Sequence, residues 1–187
     1  SIENSAVRNV ICQAVSKPVA TSFIGKYHNL HYMPKAVSLC LGFLLDEYLV
    51  GVTTFDYGPF INFGKIMSQS FYGNNQVLRQ TRFCLADEMP HGSESYCLAV
   101  AVKFLQHNKP DMKLLISYVG GLEIGTVWQA CNWLYIGLGK VRQPTGDPIW
   151  DQFHRYAMPI GTKKERKEFA EYMKAHGKLF PYPKRNS

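Results

Sequence analysis

The segment Tyr27–Tyr32 carries two histidines three residues apart, with a tyrosine at each end. Imidazole groups exchange protons near neutral pH, and tyrosine rings offer stacking surfaces. Several roles are therefore open to this segment: acid–base chemistry, stacking, metal binding, or an ordinary half-buried surface. No cluster of further ligands accompanies the two histidines, so the sequence does not indicate a metal.

A second candidate site lies at Pro90–Ser95, where a predicted strand is followed by a predicted helix. The N-terminus of a helix presents unpaired backbone N–H groups and the positive end of the helix dipole, and both favour phosphate oxygens. Ser93, Glu94 and Ser95 are therefore candidates for binding a phosphate-containing cofactor. The alternative is structural, with Ser93 capping the helix and Glu94 interacting with its dipole. The glycine-rich fingerprint of a pyrophosphate loop is missing.

A third candidate is the segment from Ser117 to Tyr135, in which a predicted strand ends at a pair of glycines. Glycine lets the backbone turn tightly or approach a ligand closely. We expect Ser117, near the end of the strand, to point toward the crevice where open α/β sheets bind ligands. The large apolar side chains of the same segment are expected in the core.

Strands and helices that alternate along the chain must position these segments. Apolar periodicity predicts strands over residues 7–15, 37–45, 48–55, 76–85, 113–118 and 133–136. Helices are predicted over residues 16–27, with Ser16 as the cap, and over residues 95–107, 122–131 and 162–176. We expect a long functional loop at residues 56–75 and an irregular or hairpin extension at residues 140–160. This order predicts an α/β fold with a mixed central β-sheet flanked by helices on both faces.

Positive charge is concentrated at the C-terminal end. The chain has 21 Lys+Arg against 14 Asp+Glu, a net charge of +7, and residues 162–187 contain eight basic and three acidic side chains. A basic end on a nearly neutral globule indicates a polyanionic partner. We predict one catalytic domain over residues 1–161, with residues 162–187 as a basic helix and tail that pack on it or extend from it.

The composition excludes several classes of protein. No stretch approaches the roughly 20 apolar residues of a membrane span, and the polar first residues resemble no export signal. The five cysteines are widely spaced without a CxxC pair, which argues against a four-thiolate zinc site and favours reduced, buried thiols. We therefore expect a cytoplasmic protein that does not contact membranes.

The candidate features follow one another in a recognisable order: His31-Tyr32, Arg82, the Pro90–Ser95 segment, Ser117-Tyr118 and the Gly125–Tyr135 segment. In this order and spacing they resemble the phage Mom family of DNA-modification proteins, over roughly residues 28–139. The resemblance implies the fold of the Gcn5-related N-acetyltransferases (GNAT). It also implies transfer of a carbamoylmethyl group to the exocyclic amine of adenine, which protects phage DNA from host restriction enzymes. The expected location is the cytoplasm of a bacterial host, as a phage or prophage protein.

The resemblance also implies roles for single residues. His31 and Tyr32 are expected to line the active site, with one of them handling a proton. Arg82 matches an arginine that the family requires for activity, and is expected to orient the substrate or stabilise charge. Two further groups match family patterns: Ser93, Glu94 and Ser95 as cofactor-binding residues, and Ser117 and Tyr118 as catalytic residues.

Two positions depart from the family pattern. Gly120 stands where the family carries a functionally important aspartate, and Glu123 stands at about the place of a family histidine. We hypothesise that Glu123 supplies the missing carboxylate from within a helix.

A base that is modified at its exocyclic amine must leave the stack and enter a pocket. Tyr32, Tyr57 and Tyr118, with the aromatic loop at residues 55–72, are predicted to supply aromatic faces. The expected partner is double-stranded or locally opened DNA, whose phosphates would contact the cations of the C-terminal helix. These cations are Lys163, Lys164, Arg166 and Lys167. The alternative for this helix is a solvated surface.

The sequence leaves some alternatives open. Two alternative functions are an acyl-CoA-dependent N-acyltransferase acting on a protein or a small amine, and a DNA-binding relative whose catalytic activity is altered. The cofactor is open among acetyl-CoA, another acyl or glycyl donor, and an iron ion that no ligand pattern indicates. Whether two copies form a homodimer is also undecided.

Overall fold

The computed structural model describes residues 2–57 and 72–185. The chain divides into two units, one built from Ser1–Gly58 and Leu78–Pro110 and the other from Pro59–Val77 and Asp111–Ser187. Most of the loop predicted over residues 56–75 lies outside the described residues.

Four antiparallel strands and two helices form the first unit. The strands lie side by side in chain order, and pairs such as Leu39 with Phe55 and Gly51 with Leu85 fix their register. The elements are a 3-10 helix (Asn4–Asn9), β1 (Ile11–Ala14), α1 (Lys17–Tyr27), β2 (Leu39–Leu45), β3 (Tyr48–Asp56), β4 (Val77–Leu85) and α2 (Ser93–Asn108).

The predicted first helix and hairpin are confirmed. Ser16 caps α1 by accepting a hydrogen bond from a backbone N–H of the first turn, and Phe23 and Ile24 bury one side of this helix. Asp46 and Glu47 join β2 to β3 with φ angles of 49° and 69°, the backbone of a two-residue hairpin turn. The end of α1 is therefore anchored in the core of the first unit.

Three antiparallel strands, in the order β5-β7-β6, form the sheet of the second unit. Each strand is paired over most of its length, and β7 lies in the middle. The elements of this unit are a 3-10 turn (Asn74–Gln76), β5 (Leu114–Gly120), α3 (Thr126–Ala130), β6 (Leu134–Lys140), α4 (Pro148–Asp151), β7 (Gln152–Pro159) and α5 (Lys163–Ala175).

Helices cover both faces of this three-stranded sheet. Tyr156 and Ala157 are consecutive residues of β7, so their side chains point to opposite faces. Phe169 and Met173 of α5 pack in one cluster with Ala157, whereas the ring of Trp128 in α3 stacks on Tyr156. The sheet therefore separates an α5 face from an α3 face.

A capping box starts α5. The Thr162 hydroxyl accepts a hydrogen bond from the Glu165 N–H at 3.2 Å, and the Glu165 carboxylate accepts one from the Thr162 N–H at 2.7 Å. The ammonium group of Lys113 lies 3.2 Å from the same carboxylate. The predicted C-terminal helix is confirmed.

Two predicted elements are wrong in part. The strand predicted over residues 7–15 is limited to β1, because the 3-10 helix Asn4–Asn9 occupies its first half. The helix predicted over residues 122–131 shrinks to α3, because Gly121 and Gly125 take left-handed φ angles of 69° and 81° that interrupt it. Of the two alternatives for residues 140–160, the hairpin is confirmed, since β7 pairs with β6.

Among the described residues no helix is both long and apolar enough to cross a membrane. All five cysteines are free thiols, and Cys40 and Cys97 are buried as predicted, while the other three are half-buried. Burial raises the pKa of Cys12, Cys84 and Cys97 to about 12, so these thiols stay protonated and unreactive.

Candidate active site

Arg82 of β4 contacts the loop that follows α1. Its Nε donates to the backbone oxygen of Tyr32 at 3.2 Å, and its Nη1 donates to the backbone oxygen of Thr81 at 2.7 Å. The guanidinium carbon lies 5.0 Å from the centre of the Tyr32 ring, which is a cation–π contact. The backbone bonds and the ring contact together hold the guanidinium against the loop after α1.

The loop carries His31 in an unusual backbone conformation. Its φ of 50° lies in the left-handed region that non-glycine residues rarely adopt. The Nδ1 atom lies 3.1 Å from the backbone oxygen of Gly25. A carbonyl oxygen only accepts, so Nδ1 carries the proton of the neutral ring and Nε2 keeps its lone pair. His31 therefore presents a hydrogen-bond acceptor, or a base, on the exposed side of this loop.

His28, at the end of α1, is held in the opposite tautomer. Its Nδ1 accepts a hydrogen bond from the Leu30 N–H at 3.0 Å, which leaves Nε2 as the donor. Burial lowers the pKa of His28 to about 4, and the electrostatic effects of Arg82 and His31 act in the same direction. His28 is therefore neutral at physiological pH.

A buried hydroxyl network holds β4 at Arg82. Thr53 of β3 donates to the backbone oxygen of Arg82 at 2.9 Å and accepts from the Gln80 amide at 2.9 Å. The hydroxyl oxygens of Thr54 and Thr81 lie 2.8 Å apart. Sequence reasoning missed this network, although two threonines inside an apolar strand were a visible signal. It fixes the backbone from which Arg82 extends.

The residues predicted to bind a cofactor lie at the start of α2. Gly92, with a φ of 86°, is the N-cap residue, so the prediction that Ser93 caps this helix is wrong. The buried Ser93 hydroxyl instead donates to the backbone oxygen of Pro90 at 2.6 Å, and the Ser95 hydroxyl donates to that of Gly92 at 3.0 Å. An anion bound here would have to be held by backbone N–H groups.

The charges of this segment do not fit the pyrophosphate of coenzyme A, which is part of one of the donors that the sequence leaves open. Between Phe83 and Ser95 the sequence contains Asp87, Glu88 and Glu94, and neither lysine nor arginine. Carboxylates repel a pyrophosphate, and the two serine hydroxyls are already bonded to backbone oxygens. The cofactor role predicted for Ser93, Glu94 and Ser95 stays a prediction.

Ser117 and Tyr118 belong to the second unit and lie on opposite faces of β5. Ser117, 3% exposed, pairs in register with Tyr156 on the α3 face, whereas Tyr118 pairs with Arg155 on the α5 face. The Tyr118 ring packs on Phe153 with a centroid distance of 4.8 Å. These two predicted catalytic residues are therefore not brought together.

The family-like segment at Gly125–Tyr135 packs around the side chain of Tyr156. The Tyr156 ring lies so close to Gly125 that a Cβ on residue 125 would overlap it. The Tyr156 hydroxyl donates to the Ile124 oxygen, and the amide nitrogen of Gln129 lies 3.0 Å from that hydroxyl and 3.2 Å from the Pro183 oxygen. The motif thus holds β7 and the C-terminal tail.

A second titratable pair, unnoticed in the sequence, lies on the same face. The Tyr135 hydroxyl and the Nδ1 of His154 are 2.8 Å apart. Burial raises the pKa of Tyr135, and burial lowers the pKa of His154. Both groups are therefore neutral, and the phenol donates to the imidazole. Residues 140–160 lacked a clear strand pattern, which is why His154 was missed.

Gly120 and Glu123 mark the departure from the family pattern. Gly120 is the exposed last residue of β5. Glu123 is exposed and precedes α3, so the expectation that it lies in a helix is wrong. The hypothesis that Glu123 replaces the missing aspartate stays a hypothesis.

The predicted DNA-binding residues are all exposed. Lys164 and Lys167 form ion pairs of 3.8 Å with Glu168 and Glu171 one turn further along α5. Lys163 and Arg166 have no ion-pair partner in the part of the chain that the structure describes. Tyr57, 39% exposed, follows the last residue of β3.

The charge asymmetry follows the two units. The second unit contains 13 Lys+Arg against 7 Asp+Glu, and the first contains 8 against 7. Across residues 2–57 and 72–185, no three His, Cys, Asp or Glu side chains are grouped to hold a metal ion. The described residues therefore do not fit an iron centre.

Comparison with known proteins gives a family and a fold. Residues 9–183 match the sequence profile of the Mom protein family. No curated protein matches the chain.

Solved acetyltransferase structures resemble the chain at low sequence identity. The spermidine/spermine N-acetyltransferase of Vibrio cholerae superposes with a TM-score of 0.58 at 10% identity, covering 89% of this chain and 99% of that one. The ribosomal-protein-S18-alanine N-acetyltransferase of Escherichia coli gives 0.56 at 8% identity, with 82% and 95% covered. The predicted fold class, a GNAT-like α/β fold with a mixed sheet, is confirmed.

Proposed function

The chain belongs to the Mom protein family, and we propose that it transfers a carbamoylmethyl-type group to the exocyclic amine of adenine in DNA, protecting phage DNA from host restriction. Family membership and fold together support an acyltransferase-like modification enzyme. The observation that carries the proposal is the family match, since residues 9–183 include every residue of the Arg82 site.

The residues around Arg82 suit an amine acceptor. The exposed ring of Tyr32 offers a stacking face to a base that has left the helix, while its other side is held by the Arg82 guanidinium. The lone pair of His31 Nε2 accepts a hydrogen bond from the exocyclic amine. The Arg82 guanidinium stabilises the carbonyl oxygen of the transferred group by its positive charge.

In the transfer step, the amine nitrogen forms a bond to the carbon of the transferred group. That carbon is the methylene carbon of the carbamoylmethyl group, since attack on an acyl carbon would give an amide. The bond from the methylene carbon to the leaving group of an activated carbamoylmethyl donor breaks, and the leaving group keeps the electron pair. One proton of the amine passes to His31 Nε2. Because the neutral His28 adds no charge beside Arg82, the guanidinium remains the principal cation at this site.

The proposed DNA partner is supported by the charge of the second unit and by the exposed cations of α5. Each lysine or arginine that contacts a phosphate releases counterions, so binding weakens as salt rises. Phage or prophage origin and a cytoplasmic location belong to the same proposal.

Of the two alternatives, one is weaker and the other stays open. An acyl-CoA-dependent transferase acting on a protein or small amine would need a pyrophosphate site, and the acidic residues Asp87, Glu88 and Glu94 oppose one at α2. A catalytically altered DNA-binding relative remains compatible with Gly120, since the family aspartate is absent there.

Nucleoside analysis separates these functions. The chain is expressed with a plasmid, the plasmid is digested to nucleosides, and deoxyadenosine is examined by mass spectrometry. We expect a mass-shifted deoxyadenosine with the wild-type chain and at least a tenfold loss in Arg82→Ala. Arg8→Ala, an exposed arginine of the same unit, is the control. Unmodified nucleosides from the folded wild-type chain would overturn the proposal.

A further inference from the structure

The C-terminal tail, Gly177 to Arg185, is fixed to the second unit by its backbone and its aromatic side chains. The Phe180 N–H donates to the Tyr135 oxygen at 3.1 Å. The Tyr182 hydroxyl donates to the Trp133 oxygen at 2.6 Å. These bonds attach the tail to β6 and to the residue that precedes it.

Two further contacts hold the end of the tail. Gln129 of the family-like motif donates to the Pro183 oxygen at 3.2 Å. Phe180 packs over Gly137, where a Cβ would come within 3.0 Å of the Phe180 ring. The chain is therefore held up to Pro183, the residue at which the family match ends. The next two residues are Lys184 and Arg185.

The cations of the tail differ from those of α5. Two of the four predicted α5 cations are paired with glutamates of their own helix. Beyond Glu171 the sequence contains no acidic residue. Lys184 and Arg185 are exposed, and neither takes part in an ion pair with any described residue. No acidic side chain among the described residues neutralises their charge.

We propose that Lys184 and Arg185 form a clamp for the phosphates of DNA, positioned by the attachment of the tail to β6 and Gln129. This proposal rests on the proposed function and identifies the place at which the protein holds its DNA substrate. A cation on a fixed backbone loses less conformational entropy on binding than one on a free tail. Arginine also offers two parallel N–H groups to one phosphate.

The attachment makes the clamp more than a general positive charge. Gln129 contacts both the Tyr156 hydroxyl and the Pro183 oxygen, so one side chain of the family-like motif fixes β7 and the tail together. The clamp therefore holds DNA at a defined place on the second unit, and loosening the tail weakens binding without removing charge.

Anisotropy of a fluorescent DNA duplex, measured with the full chain between about 50 and 200 mM salt, tests the clamp. In the double variant Lys184→Ala/Arg185→Ala, we expect the slope of log Kd against log salt to become less steep by about 2. The control, Arg8→Ala/Lys103→Ala, removes two exposed charges from the first unit and leaves the slope unchanged. An unchanged slope in the tail variant would overturn the clamp.

The attachment is tested separately with Tyr182→Phe, which keeps every charge and removes the hydrogen bond to Trp133. We expect a severalfold higher Kd with the wild-type salt slope, and a wild-type Kd would show that the attachment positions nothing. If the wild-type chain binds the duplex but leaves nucleosides unmodified, the proposed transfer fails and the clamp stands. If it does not bind the duplex, the clamp fails.

Discussion

The ring of Tyr156 lies directly against the Cα of Gly125, so that residue 125 has no room for a side chain. Gly125 also takes a φ of 81°, which disfavours other residues. Steric overlap and backbone strain therefore fall on one position. This glycine belongs to the family-like motif at Gly125–Tyr135. The contact therefore indicates that the motif supports β7.

Gly125→Ala is expected to destabilise the second unit by about 2–4 kcal/mol, the sum of overlap and left-handed strain. Gly177→Ala is the matched control, because Gly177 has a φ of 63° and an open site around its Cα. It should cost only about 1 kcal/mol. Urea unfolding followed by circular dichroism measures the free energy of unfolding of each variant. An equal loss of free energy in the two variants would contradict the packing argument.

Thr53→Val is expected to cost about 1–3 kcal/mol, because it removes the acceptor of the Gln80 amide and the donor to the Arg82 oxygen. Thr54→Val should cost less, since the Thr81 hydroxyl can still donate to the Thr54 backbone oxygen at 3.1 Å. Thermal unfolding of the two variants compares how much each of these two buried hydroxyls, on adjacent residues, contributes to stability. A larger loss in Thr54→Val would show that the network is misassigned.

His28 should make stability depend on pH. Its folded pKa of about 4 lies below the usual value of 6.5, so the unfolded chain binds the proton first on acidification. The contribution to stability is complete above pH 6.5 and is lost as pH falls toward 4. In His28→Asn, whose side-chain oxygen can replace the Nδ1 acceptor, the fall in Tm across this window should be smaller. An identical dependence of Tm on pH in the wild-type chain and in His28→Asn would contradict the assignment of this effect to His28.

Tyr135→Phe should raise the pKa of His154. The phenol donates to the unprotonated Nδ1 and so stabilises the neutral ring, in addition to the burial that already lowers this pKa. NMR titration of the imidazole measures the change, with Tyr182→Phe as the control phenol in the same unit. A lower pKa in Tyr135→Phe would mean that His154 is the donor of this hydrogen bond.

The effect of charge removal from α5 on DNA binding should depend on which cations are removed. Lys163→Ala/Arg166→Ala removes two cations that have no ion pair among the described residues, and should flatten the salt dependence of DNA binding. Lys164→Ala/Lys167→Ala also breaks two exposed ion pairs, which contribute little to stability. Equal Tm values with a flattened slope would support phosphate contact. An unchanged slope in the first variant would favour the solvated-surface alternative.

The fold was largely predictable from the sequence because its strongest elements carry local signals. Ser16 before Lys17-Pro18 marks a helix start, and Asp46-Glu47 between apolar runs marks a hairpin. β7 was harder to predict, because polar residues at 152, 154 and 155 interrupt its apolar pattern and its stability depends on pairing with β5 and β6.

The site was less predictable than the fold. The sequence singled out Arg82 and Tyr32, whose contact joins residues fifty positions apart. It missed the tautomers of His28 and His31, which depend on backbone oxygens and N–H groups that only the folded loop presents. It also missed the opposite directions of Ser117 and Tyr118, which follow from the strand register.

The attachment of the tail to β6 has a consequence for solubility. In the part of the sheet that belongs to the second unit, β6 is the outermost strand, and an open strand edge invites pairing with another chain. The tail occupies this edge where Phe180 bonds to the Tyr135 oxygen. A chain cut after α5 would therefore expose the edge and tend to self-associate. The segment proposed to hold DNA therefore also covers a strand edge that would otherwise be open to pairing.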